Sequence, residues 1–211
     1  MSTAKTPKTR RQKTVLLVET AMLAAIVVVM ALTPLGYLRV GPLELTLIMV
    51  PVIIGAVTCG PTVGAVLGGV FGITSFVQCF MGSPLGAILV SLSIPKTFVI
   101  CVVTRVLAGW LCGLIFRACI SHDKKGSWSY VVAGVSGSLF NTLFFLGTLA
   151  LLFWGVQFTP DQAEALGGVD TVLKTVIAIA AGVNAPIELL VCAVLGSAVG
   201  KGVAVALRRV K

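Results

Sequence analysis

The chain has 211 residues, 57% of them hydrophobic and only 11% charged, with a mean hydropathy of +1.07, whereas a soluble domain carries roughly 25% charged residues. This excludes an ordinary water-soluble enzyme or binding domain and points to an all-α integral membrane protein, with the lipid bilayer as its solvent. The formal net charge of +9 is spread along the ends of apolar runs, so it reads as membrane topology and nucleic acid is not expected as a partner.

A bilayer core of ~30 Å takes ~20 apolar residues at ~1.5 Å each. Six stretches are long enough: 14–33, 43–59, 61–80, 90–117, 129–155 and 171–200. They predict six transmembrane helices in one domain over 14–200, between a basic tail at 1–13 and another at 201–211. Lys5, Lys8, Arg10, Arg11 and Lys13 precede the first span, Arg117, Lys124 and Lys125 flank the loop after the fourth, and Lys201, Arg208, Arg209 and Lys211 close the chain. With six spans all twelve fall on one side, which predicts that both termini are cytoplasmic. The apolar run of the first span is too long for a signal peptide, and further spans follow it.

In the first span, Ala21 and Ala25 form an A-x-x-x-A stripe against which another helix can lie, from this chain or from a partner. The second span is short, bounded by Pro42 and by the Gly60-Pro61 break. The third carries Gly60, Gly64, Gly68 and Gly72, whose spacing predicts one helix face along which a neighbouring backbone approaches closely. Gln78 lies near its outer end. The fourth and sixth spans exceed the need, so each must tilt, kink or begin in a loop folded back into the protein.

Arg105 lies 12 residues before Arg117, ~18 Å along a helix and near the midplane. A guanidinium at that depth needs an anion, either a substrate carboxylate or Glu188 of the sixth helix. Asn184 and Glu188 share one face, with Pro186 between them loosening the backbone ladder; they serve a ligand or an interhelical hydrogen bond. Asn141 in the fifth span is a weaker signal of the same kind. Trp154 and Phe158 follow it, Trp154 as an interfacial anchor or both as a stacking lid. The cysteines Cys59, Cys79, Cys101, Cys112, Cys119 and Cys192 contain no C-x-x-C pair and read as small packing residues. His122, the one histidine, lies in a basic loop. No metal site, cofactor or catalytic set is expected, since no metalloprotease, hydrolase or P-loop motif occurs. The residues describe a binder or a transporter, with a self-sufficient carrier or channel and a structural subunit as other classes.

The stretch Thr33-Pro34-Leu35-Gly36-Tyr37, then Gly41-Pro42, Leu45-Thr46, Pro51 to Ala56 and Gly60-Pro61 to Gly72 resembles the substrate-binding (S) components of energy-coupling factor (ECF) vitamin transporters. Thr104-Arg105-Val106-Leu107-Ala108-Gly109 looks like that family's Pro-Arg motif in helix 4, with Thr104 where proline is usual. The resemblance implies six helices with both termini inside and a water-soluble vitamin bound on the outer side. It also implies partnership with a membrane-embedded coupling subunit and two ATPase subunits, docking through Ala21 and Ala25. Loop 35–45 and residues 74–80 look most like pantothenate-type members, with riboflavin or folate as alternatives. The candidate substrate-binding residues are Thr46, Gln78, Arg105, Asn141, Asn184 and Glu188.

Overall fold

A computed structural model describes residues 10–33, 36–40, 43–123, 128–166, 168, 171–181 and 184–210. Pro34, Leu35, Gly41 and Pro42 of the quoted stretch, and Lys124 and Lys125, lie outside the described residues. The chain runs α1 (Arg10–Leu32), a hairpin of β1 (Tyr37–Val40) and β2 (Leu43–Thr46), α2 (Met49–Thr58) and α3 (Pro61–Met81). It continues through α4 (Pro84–Leu92), α5 (Ile94–Phe98), a π-helical turn (Val99–Val103), α6 (Thr104–Ile120) and α7 (Trp128–Leu152). The last elements are α8 (Pro160–Ala165), α9 (Val172–Ala181) and α10 (Asn184–Val210).

Among the described residues five helical segments are long and apolar enough to cross a membrane: Arg10–Leu32, Pro61–Met81, Ile94–Ile120, Trp128–Leu152 and Pro186–Val203. The expected second span, 43–59, divides instead. Its first residues pair as β2, antiparallel to β1 with Tyr37 opposite Thr46, and its remainder is the ten-residue α2, ~15 Å long. A short helix is tolerable there because α2 packs against α1, α3, α6, α7 and α10, and Pro51 to Val57 are all buried. The expected sixth span also divides, into α9 and α10, and α10 continues through the expected basic tail to Val210. Pro186 falls in the first turn of α10, where its missing N–H has no intrahelical partner to lose, so it opens a helix and does not loosen one.

α1 and α3 run side by side in the same direction. Just before the start of α3 the Cys59 thiol donates to Glu19 Oε2, midway along α1, at 3.2 Å, and near the ends of both helices the Gln78 amide donates to the Ala31 carbonyl. The hairpin and α2 therefore carry the chain back from the Ala31 end to the Cys59 end. Glu19, a carboxylate within an apolar helix, thus ties α1 to the end of α2.

Three of the four glycines act as their spacing predicts. A Cβ at Gly64 would overlap the Gly109 carbonyl, at Gly68 the Arg105 carbonyl, and at Gly72 the main chain of Cys101 and Val102. The absent side chains thus bring α3 onto α6 and the π turn at backbone contact. Gly60 departs from the expectation. It stands before the helix as its cap with φ +105°, a conformation L side chains rarely adopt, and makes the turn that lets α2 pass into Pro61 of α3. Gly68→Ala should therefore be destabilising by about 1–3 kcal/mol, the ordinary cost of overpacking, or roughly 2–12 °C in thermal midpoint for a chain of this size. Gly147→Ala, with nothing within 4 Å of the added methyl, should leave the midpoint unchanged or raise it. Thermal unfolding of the two variants in detergent checks the contrast.

Candidate substrate-binding site

Four of the polar residues predicted from separate spans, Thr46, Arg105, Asn141 and Glu188, lie near one another. Arg105 opens α6, buried with 7% of its surface exposed, directly after the π turn. A π turn widens the helix and loosens its hydrogen-bond ladder. Here the carbonyls of that turn are taken up by side chains: Arg105 Nη1 donates to Cys101 at 3.1 Å and to Ile100 at 3.3 Å, and the Thr104 hydroxyl also donates to Ile100. At this position, where the related motif carries proline, the distortion is made by the π turn and Thr104 helps satisfy it.

The guanidinium lies over two aromatic faces, Phe71 of α3 at 4.7 Å and Phe145 of α7 at 5.4 Å. Each ring offers the negative side of its quadrupole to the cation, worth ~2 kcal/mol or more where water is excluded. Carbonyls and rings together hold the charge at depth. Among the described residues Arg105 makes no ion pair, and its Nε, buried, has no hydrogen-bond partner.

Glu188 of α10 is buried as well. It accepts a hydrogen bond from Asn141 Nδ2 at 3.2 Å, and the main-chain amide of Thr46 also faces its carboxylate. Arg105 is near enough to act on it through space but does not touch it. The direct Arg105–Glu188 pair, one of the two readings of the sequence, is therefore not formed. Asn141 Oδ1 is left buried without a partner among the described residues. A buried unpaired polar atom costs about 1–3 kcal/mol, and among the described residues both the Arg105 Nε donor and the Asn141 Oδ1 acceptor are in that state.

Thr46, Arg105, Asn141 and Glu188 thus share one neighbourhood. Gln78 spends its amide on Ala31 and serves helix packing, and the side chain of Asn184 lies outside the described residues. Phe71 and Phe145 were not read as site residues. Phe145 had a signal, since it follows Asn141 by four positions and so shares its helix face; Phe71 stands within the glycine ladder and reads there as packing. Trp154 is exposed at the end of α7, where it lines a cleft of about 220 Å³ with Gln157 and Thr171. Phe158 is buried in an apolar cluster with Ile88, Leu149 and Leu166, so it is not placed as a lid. Among the described residues no group of His, Cys, Asp or Glu could hold a metal ion.

Residues 15–199 match the family described as ECF transporter, substrate-specific component. The chain belongs to that family. A search of curated proteins found no match. S components are membrane-embedded transport subunits; they bind a small molecule and work with an ECF module. Arg105, Asn141 and Glu188 form a buried polar cluster among apolar helices.

Proposed function

We propose that this S component captures a small anionic vitamin outside the cell, with pantothenate as the first candidate, and delivers it through a coupling subunit and two ATPases. The observation that carries the reading is Arg105: a buried guanidinium held by rings and carbonyls, with no carboxylate neutralising it among the described residues and an Nε to spare. Arginine's planar fork suits a carboxylate. Pantothenate adds hydroxyls and an amide that would meet Asn141 and Glu188. Riboflavin and folate call for stacking surfaces, and here Phe71 and Phe145 are occupied by the guanidinium.

In this reading the chain crosses the membrane of a prokaryotic cell six times, the hairpin and α2 together making the second crossing, with both termini cytoplasmic. That orientation puts Arg10, Arg11 and Arg117 at the cytoplasmic face, in keeping with the positive-inside rule, and the hairpin outside. Pantothenate at about 100 times its dissociation constant should stabilise the purified chain by ~2.7 kcal/mol, read as a rise in thermal midpoint. A midpoint that responds to riboflavin or folate and not to pantothenate would replace the vitamin and keep the transporter; a response to none of them would remove the vitamin reading.

A further inference from the structure

We propose that Cys79 and Cys101 are a thiol pair that oxidises reversibly to a disulfide, clamping α3 to the π turn that precedes Arg105. Their sulfurs are 3.8 Å apart, 22 positions apart in sequence and on different elements. Closing that contact to the ~2.0 Å of a disulfide takes less than ~2 Å of sulfur motion. Both residues are buried, at 7% and 3% exposure. The Cys79 thiol is oriented by its hydrogen bond to the Ser75 carbonyl at 3.3 Å, and its backbone is pinned by Gly86 of α4, where an added Cβ would meet Cys79. Cys79 is therefore held in place from two sides.

The oxidant is a hydroperoxide, small and neutral enough to reach a buried sulfur that bulkier reagents cannot. One thiolate attacks the O–O bond and becomes a sulfenic acid, releasing water in the case of hydrogen peroxide. The second thiol then displaces the sulfenic oxygen as a second water. Two thiols lose two electrons and two protons, and the peroxide is reduced to two waters. With its partner already in contact, the sulfenic acid is captured before it oxidises further.

The link would reach the binding site through the main chain. The Cys101 and Ile100 carbonyls that accept from Arg105 Nη1 belong to the turn that the disulfide would restrain. The inference concerns the thiols and the turn, and it holds whichever molecule Arg105 binds.

The test uses the full-length protein in lipid vesicles, treated with hydrogen peroxide, denatured, alkylated and digested with trypsin. Cleavage after Arg39, Lys96 and Arg105 places Cys79 in 40–96 and Cys101 in 97–105. The expected product is these two peptides joined and separated again by reductant, with fragmentation assigning the bond to Cys79 and not to Cys59. Amide exchange across Val99 to Arg105 should be slower in the oxidised wild type, and unaffected by peroxide in Cys79→Ala. Separate, fully alkylated peptides under conditions that oxidise a soluble dithiol, or sulfinic acid at either cysteine, would overturn the site. A disulfide that leaves amide exchange unchanged would overturn the clamp.

Discussion

Arg105→Met should weaken vitamin binding severely while leaving the protein folded. Removing one partner of a buried, hydrogen-bonded charge pair costs about 2–5 kcal/mol of binding, a loss of roughly 30-fold to several thousand-fold. Folding should survive for two reasons. The substitution removes a charge whose burial is itself costly, and a methionine sulfur packs well against the rings of Phe71 and Phe145 that now face the guanidinium. Against this stands the loss of a donor to the Ile100 and Cys101 carbonyls, so the ligand-free thermal midpoint should move by only a few degrees. Arg105→Lys should bind roughly tenfold more weakly than wild type, because it keeps the charge but loses the planar fork. Calorimetric titration and thermal unfolding of both variants separate binding from folding. A methionine variant that binds as wild type would remove Arg105 from the site. One that unfolds would return the residue to a structural role.

Replacing Ala21 and Ala25 together with Trp should cut uptake and co-purification with the coupling subunit while ligand binding by the isolated chain persists. Both alanines are exposed, in a face of α1 that also presents Leu17, Val18, Met22 and Val29. The opposite face of α1 carries Glu19 and Leu23 toward α2. Two indoles on the outer face would therefore touch nothing among the described residues but would hold a partner helix away, forfeiting dispersion contact that falls off within an ångström or so. A wedge of this kind costs about 1–3 kcal/mol, roughly 5- to 150-fold in the stability of the complex. Pull-down with the coupling subunit, set beside ligand binding by the variant alone, checks it. Equal loss of both would place the stripe inside the bundle; retained assembly would move the docking surface elsewhere.

Hydropathy and spacing carried a good part of the architecture. The apolar runs around α1, α3, α6, α7 and α10 were legible because a bilayer demands ~20 apolar residues per span, a requirement written locally in the chain. The same holds for the contact of Gly64, Gly68 and Gly72 with α6, since four-residue spacing puts small residues on one helix face without reference to anything distant. The division of 43–59 into a strand and a ten-residue helix was not legible. A short apolar segment satisfies the pattern of a span, and only its enclosure by five other helices shows that it need not meet lipid.

The candidate site divides along the same line. That Arg105, Asn141 and Glu188 are out of place in lipid is a property of each residue and its neighbours in sequence, and so it could be read directly. What each one touches depends on the rotation and register of packed helices. Glu188 meets Asn141 across 47 positions, and Gln78 is drawn off to Ala31 across another 47. Arg105 meets two rings and two carbonyls and not Glu188, one of the two anions its sequence context allowed. Such choices follow from three-dimensional packing, in which moving a helix by a fraction of a turn exchanges one partner for another, and apolar periodicity is the same before and after.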